Sequence, residues 1–198
     1  MKGKLYVISG PSGSGKGTVI AELLKREENL YLSVSVTTRK MRPGEQEGVN
    51  YYYRTNEQFQ KMKDNNEFLE YEEFCTNSYG TPLAPVMEKL SKGIDVILEI
   101  EVKGARRVKE KMPEAVMVFI APPSVEELEK RLKGRNTETD DVIKLRIATA
   151  KEELKLASNY DYIVVNDIVE KSTDDIHSII KAEKCKKERV IDELEVLK

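Results

Sequence analysis

The chain has 198 residues, enough for one substantial core with room for an inserted lobe. Its 39% hydrophobic and 34% charged residues form an ordinary water-soluble mixture, and a net charge of −2 gives no reason to expect a nucleic-acid or membrane partner. No apolar run approaches the roughly 20 residues of a membrane span, and Met1-Lys2-Gly3-Lys4 leads into a strand without a signal-peptide core, so a cytoplasmic protein is expected.

The first element is the apolar run Leu5-Tyr6-Val7-Ile8, a buried strand. It leads directly into Gly10-Pro11-Ser12-Gly13-Ser14-Gly15-Lys16-Gly17-Thr18. Strand, glycine loop, helix is the context in which a Gly-x-x-x-x-Gly-Lys loop cradles phosphate. Its glycines let backbone N–H groups converge on phosphate oxygens. The helix that starts near Lys16 adds the positive end of its dipole, and Lys16 adds a mobile ammonium. These nine residues are the candidate nucleoside-triphosphate cradle. Gly17 stands where a magnesium-ligating Ser or Thr is usual, with Thr18 following, so direct hydroxyl ligation is an open question and water is the alternative.

Val19, Leu23 and Leu24 give that helix one buried face to about Glu27, and a strand is expected near Tyr31–Val36. The stretch 37–84, rich in tyrosine, Gly and Asn, reads as an inserted lobe of mixed α+β structure. Within it, Arg39 and Arg42 lie three apart, a spacing at which two guanidinium forks can hold a phosphate monoester, with Tyr51 and Tyr79 as hydroxyl donors.

A helix from Pro82 or Leu83 to Ser91 stops before Gly93, and Ile94–Ile100 is a buried strand. Glu99 closes its apolar run and is the candidate metal-side carboxylate, acting on Mg2+ through water; a plain capping charge is the alternative. A helix over Val102–Lys111 stops before Pro113, and Ala115–Ala121 is another buried strand. Ser124-Val-Glu-Glu127 reads as a capping box opening an amphipathic helix. After a polar segment, Ile143, Ile147, Ala150, Leu154 and Ala157 form the stripe of the next helix. Tyr162–Val165 is the last strand, and a charged helix from about Ser172 is expected to run towards the carboxyl end. Alternating strands and helices imply a mainly parallel sheet flanked by helices, an α/β fold. Cys75 and Cys185 have no metal-ligand spacing, and both are expected to be reduced.

A triphosphate loop alone leaves GTPases, motor ATPases and small-molecule kinases open, although no Asn-Lys-x-Asp guanine motif of a GTPase is present. The wider set of segments narrows this. Ile8-Ser-Gly-Pro-Ser-Gly-Ser-Gly-Lys16, Ser33-Val-Ser-Val-Thr-Thr-Arg39, Gly44-Glu45, Asn66-Glu-Phe-Leu-Glu70, Tyr79-Gly80, Leu98-Glu-Ile-Glu101, Phe119-Ile-Ala-Pro-Pro-Ser124, Arg131, Gly134-Arg135 and Val165-Asn166-Asp167 follow one another in an order that resembles the guanylate kinase family from end to end.

The resemblance implies a phosphate-loop core (1–36 and 85–198), a GMP-binding lobe (37–84) and a lid at about 126–156. It implies transfer of the γ-phosphoryl group of ATP to GMP, giving ADP and GDP, with Mg2+ accompanying ATP and dGMP as a further acceptor. By the same resemblance Ser35, Arg39, Arg42, Tyr51 and Tyr79 match positions on the GMP phosphate, and Glu70, Thr81 and Glu101 match positions at guanine. The lid arginines Arg131, Arg135 and Arg146, with Lys16, are the expected catalytic cations, although surface pairing with Glu127 or Glu138 is open for the first two. Asn166 and Asp167 are expected to border the adenine. Family members often carry Asp where Glu99 and Glu101 stand, and Gly-Arg-Gly where this chain has Gly134-Arg135-Asn136.

The chemistry agrees with that implication. Glu70 can accept from guanine N1–H and the 2-amino group, while Thr81 or Ser35 can donate to O6. AMP lacks the donor pair and would leave a carboxylate unpaired. A phosphate with a second pKa of about 6 is already ionised at neutral pH, so the absence of a His or Asp base is no obstacle. A non-catalytic phosphopeptide-binding module and a kinase for another nucleoside monophosphate are the competing readings.

Overall fold

A computed structural model describes residues 2–74, 76–134, 140–191 and 194. Among them the elements run β1 (Leu5–Ser9), α1 (Lys16–Leu24), β2 (Leu30–Leu32), β3 (Val36–Thr37), β4 (Tyr52–Tyr53), α2 (Asn56–Asp64), β5 (Phe68–Phe74), β6 (Asn77–Pro82) and α3 (Leu83–Ser91). They continue as β7 (Asp95–Glu99), α4 (Val102–Lys111), β8 (Val116–Ala121), α5 (Val125–Lys133), α6 (Asp140–Lys155), a 3-10 turn (Leu156–Asn159), β9 (Tyr162–Val165), α7 (Val169–Lys184) and α8 (Lys187–Val190).

All five residues of β1 are buried, and alternate side chains feed two different cores. Leu5 and Val7 pack with Leu90 of α3 and Val108 of α4, whereas Tyr6 and Ile8 pack with Val19 and Leu23 of α1 and Ile176 of α7. A strand apolar on both faces belongs in the middle of a sheet covered on both sides. The sheet order β2-β7-β1-β8-β9, parallel throughout, puts β1 at that centre. The α/β fold with its mainly parallel, helix-flanked sheet is therefore as the alternating pattern predicts.

The single strand expected over Tyr31–Val36 is instead two short strands in two sheets. Tyr31 pairs with Val96 in the parallel sheet, and Val36 pairs with Gly80 in a second sheet of order β4-β3-β6-β5. Residues 33–35 carry the chain across, because no one strand can satisfy the ladders of both sheets. The second sheet has its own small core, in which Phe59 of α2 stacks on Phe68 at 4.6 Å beside Val36. A register shift between Phe68 and Glu70 lets Leu69 join the main core while Glu70 pairs with Thr81.

Helices α5 and α6 share a separate cluster of Leu128, Leu132, Ile143 and Ala150. The Ser124 hydroxyl accepts from the Glu127 N–H at the start of α5, as its sequence predicts. The stripe of α6 ends one turn earlier than expected, since Ala157 lies in the 3-10 turn. The carboxyl-terminal helix is also shorter. It stops at Lys184, and the extended backbone of Lys186 (φ −60, ψ 138) starts α8 in a new direction. Lys186 Nζ reaches back 2.7 Å to the fully buried Glu183 carboxylate, and the Arg189 guanidinium donates to the Lys2 carbonyl. Lys186 and Arg189 thus pack back onto the chain's own core domain. Cys185 is exposed and unpaired, whereas Cys75 and Leu197 lie outside the described residues.

Candidate active site

The glycine loop leaves β1 at the carboxyl edge of the parallel sheet, where ligands of such folds sit. Gly15 is the N-cap of α1 with φ 89, a left-handed backbone that favours glycine. A side-chain Cβ there would also lie 2.3 Å from Asn166 Nδ2. Asn166 is the hidden support of the loop. Its Nδ2 donates to the Ser14 carbonyl at 2.7 Å, its Oδ1 accepts from the Ser172 hydroxyl at 3.1 Å, and its N–H donates to the Ala121 carbonyl. Only 2% of it is exposed, and its side chain supports the loop from below. Asp167 beside it is exposed. Lys16 Nζ curls back to donate to the carbonyls of Gly10 (2.6 Å) and Pro11 (3.2 Å), which holds the ammonium across the loop.

One cavity of about 530 Å³ runs from this loop to the second sheet. Ser12, Gly13, Gly15, Lys16, Gly17 and Thr18 line one end, and Ser35, Tyr51, Glu70 and Tyr79 line the other, with Glu99 and Glu101 between them. Of the remaining loop residues, Pro11 and Ser14 are buried.

Glu70 is 5% exposed. Its Oε1 accepts from both the backbone N–H (3.1 Å) and the hydroxyl (2.7 Å) of Thr81. Burial raises its pKa, the Thr81 hydrogen bonds oppose the rise, and the charge of Glu72 adds to it. Thr81 thus orients Glu70 through both its N–H and its hydroxyl. Gly104 of α4 faces the other carboxylate oxygen; a Cβ at that position would come within 2.7 Å of Glu70 Oε2. Glycine inside a helix costs about 1 kcal/mol relative to alanine, and that cost was the signal available in the sequence.

Of the two arginines expected together on a phosphate, Arg39 is the one held near the cavity. Its guanidinium sits 5.4 Å from the centre of the Tyr51 ring, and Tyr51 meets Tyr79 edge-on at 6.0 Å. Burial raises the Tyr51 hydroxyl pKa, Tyr79 adding to the rise and Arg39 opposing it. The Arg42 side chain is exposed; what is fixed is its backbone N–H, which donates to Glu45. Glu45 is the organiser that residue-by-residue reading missed. It accepts from Arg39 at 2.7 Å, from the Arg42 N–H at 2.8 Å and from the Tyr53 hydroxyl at 2.8 Å. The Arg39 hydrogen bond, with the others, holds its pKa down at about 2. Ser35 lies where the chain crosses between the sheets, and its carbonyl accepts from the Tyr52 N–H.

Glu99 opens into the cavity. Protein packed around its carboxylate raises its pKa, Lys16 lowers it, and Glu101 adds to the rise. A Cβ on Gly17 would touch its oxygens at 3.5 and 3.7 Å, so the carboxylate stands directly over the first turn of α1. Among the described residues no three His, Cys, Asp or Glu side chains converge on one point. That donor set does not suit an all-protein metal cage, but it fits an Mg2+ ion that keeps several waters and binds through one carboxylate and substrate phosphates. Glu153 of α6 was not anticipated. Burial and the charge of Glu101 push its pKa up to about 7, with Lys16 opposing.

Of the arginines expected on a lid, Arg131 bonds Glu127 at 3.1 Å and the Asn166 carbonyl at 3.0 Å, so the surface pair with Glu127 forms and also reaches the loop support. Arg146 points its Nη1 at the Ser12 hydroxyl, 3.4 Å away. Arg135 lies outside the described residues.

A family model for guanylate kinase matches residues 2–183. The chain belongs to the guanylate kinase family. The guanylate kinase of Halalkalibacterium halodurans is 50% identical to this family member over 191 residues, 96% of this chain and 94% of that one. That of Lactococcus lactis is 52% identical over 96% of this chain and 93% of its own length. The crystal structure of guanylate kinase from Anaplasma phagocytophilum superimposes with a TM-score of 0.77 at 36% identity, covering 93% of this chain and 88% of that one. Guanylate kinase membership thus extends over the loop, the second sheet and the α5–α6 pair alike.

Proposed function

We propose that this chain is an ATP:GMP phosphotransferase, moving the γ-phosphoryl group of ATP to GMP to give ADP and GDP for guanine nucleotide supply. One observation carries the reading. A single cavity joins a phosphate-cradling loop to a wall bearing a buried carboxylate and paired tyrosines beside a fixed arginine. Two anionic nucleotides can therefore meet end to end.

In the proposed assignment, the loop from Gly10 to Thr18 binds the ATP phosphates through backbone N–H groups, and Lys16 leaves its loop carbonyls for the β- and γ-phosphate oxygens. Arg39, Tyr51, Tyr79, Ser35 and Arg42 receive the GMP phosphate. Glu70, oriented by Thr81, accepts from guanine N1–H and the 2-amino group, with Glu101 near the same edge. Adenine offers no such donor pair, and a buried carboxylate left unpaired is a strong penalty. When bound with ATP, Mg2+ supplies charge neutralisation at the phosphate oxygens, and Glu99 would hold it through water.

The acceptor oxygen is already ionised at neutral pH, so the residues align two anions and spread charge instead of removing a proton. Residues 126–156 act as a lid that brings Arg146, Arg131 and Arg135 towards the phosphates, and 37–84 act as the closing GMP lobe. Closure before transfer keeps water from the γ-phosphate. The proposed setting is the cytoplasm, where both nucleotides are available; no described helix is long and apolar enough to cross a membrane.

A coupled assay of ADP formation with GMP, dGMP, AMP and UMP tests the reading. Turnover with GMP, weaker turnover with dGMP and little with AMP or UMP is expected. Equal use of AMP, or ATP hydrolysis as fast without GMP as with it, would overturn it.

A further inference from the structure

The hairpin of β5 and β6 carries a carboxylate that the reaction above leaves unused. Glu72 is two residues from Glu70 and stands opposite Tyr79, as Glu70 stands opposite Thr81. With the period of two in a strand, both carboxylates face the same cavity, and Glu72 lines it.

Glu72 is held in place from behind. Arg107 of α4 approaches its Oε1 to 3.0 Å, but the same Nη1 donates to the Tyr71 carbonyl, and the guanidinium also lies over the Tyr71 ring. The charge of Glu72 is thereby offset, yet Oε1 is buried and accepts no hydrogen bond. Oε1 is thus closed off against Arg107, and the carboxylate has its other oxygen left for a donor in the cavity that the residue lines.

GMP has few donors to offer. With the base at Glu70 and the phosphate at Tyr79 and Arg39, N1–H and one 2-amino N–H are taken by Glu70, the second amino N–H lies on the base edge beside Glu101, and the sugar spans the gap between these rungs of the hairpin. The ribose hydroxyls are the donors that remain. A carboxylate level with Tyr79 would otherwise repel the phosphate, an effect that Arg107 reduces. We propose that the Glu72 carboxylate, through the oxygen not paired with Arg107, accepts a hydrogen bond from a ribose hydroxyl of GMP, making Glu72 a specificity-determining residue that favours the ribonucleotide over its deoxy form, with Arg107 as its positioning residue. The inference rests on the GMP reading.

Steady-state constants for GMP, 2′-deoxy-GMP and 3′-deoxy-GMP, measured on wild type, Glu72→Ala and Glu72→Gln, test it. Wild type should show a KM for GMP about tenfold below that for the analogue lacking the recognised hydroxyl. Glu72→Ala should raise the KM for GMP to meet that analogue, with the analogue's own KM unchanged. Glu72→Gln, nearly isosteric and still presenting a carbonyl acceptor, should keep part of the preference. Equal KM values for all three nucleotides in wild type, or a Glu72→Ala change by one common factor for all three, overturns the proposal while leaving GMP as the substrate. Failure of wild type to use GMP at all would instead remove the functional reading on which it rests.

Discussion

The amide of Asn166 bonds the carbonyl of Ser14 at 2.7 Å, joining the end of β9 to the glycine loop across 152 residues of sequence. The loop's shape thus depends on a residue from the far end of the fold. Replacing Asn166 by Ala removes this bond and the one from Ser172, leaving buried groups unsatisfied. A loss of roughly 1–3 kcal/mol follows, seen as a drop of several degrees in Tm, together with a raised KM for ATP. An unchanged Tm and an unchanged KM for ATP would show that the loop holds itself.

Gly104→Ala sets two effects against each other. Helix propensity favours alanine by about 1 kcal/mol. The new methyl would meet Glu70 Oε2 at 2.7 Å and must displace the carboxylate. Thermal stability should change little, while the KM for GMP rises about tenfold or more and the KM for ATP stays. Selective loss of GMP affinity in a folded variant is the outcome that kinetics and a melting curve together would reveal.

Glu45→Ala releases Arg39 and the Arg42 N–H at once. The expected result is a higher KM for GMP with an unaltered KM for ATP, partly restored by Glu45→Gln. Because the Glu45 pKa is held at about 2, below its ordinary value, its contribution is complete above the unfolded-state pKa and disappears only as pH falls towards 2. A pH profile of wild type between pH 5 and 8 should therefore carry no limb that Glu45→Gln removes.

Glu153 has the opposite sign. Its folded pKa of about 7 exceeds the model-peptide value near 4.5, so between these values the folded state binds more protons than the unfolded chain. This term lowers stability as pH rises from about 4.5 to 7. Glu153→Gln removes it, and the variant should gain on the order of 1–3 kcal/mol over wild type near pH 8, with no gain near pH 4. Melting curves at the two pH values check the sign; a gain equal at both would mean that packing and not charge is responsible.

Much of this architecture was legible because it is local. The apolar runs of β1, β7 and β8 alternate with amphipathic helices, and a Gly-x-x-x-x-Gly-Lys loop between a strand and a helix has few other uses. Strands β2 and β3 do not form the one strand that local pattern suggests, since a ladder partner 42 or more residues away decides where a short strand ends. The length of α7 was overestimated for a related reason. Helical periodicity continues past Lys184, but the buried Glu183 carboxylate and the Lys2 carbonyl draw the tail into a new direction.

Residue types and spacing by themselves determined the glycine-loop pattern and the parallel α/β core and pointed to an arginine pair with tyrosines for a phosphate, whereas the guanine positions were implied only by the family resemblance. Only the tertiary structure decided which of them reach the cavity and which stand behind it. It showed Asn166 and Thr81 bonded as supports of the loop and of Glu70, and it brought Glu45, Glu72 and Gly104 out of the background. The reason is that a side chain's chemistry is carried by its own atoms, whereas its direction and its partner are imposed by backbone ladders and packing between segments far apart in the chain.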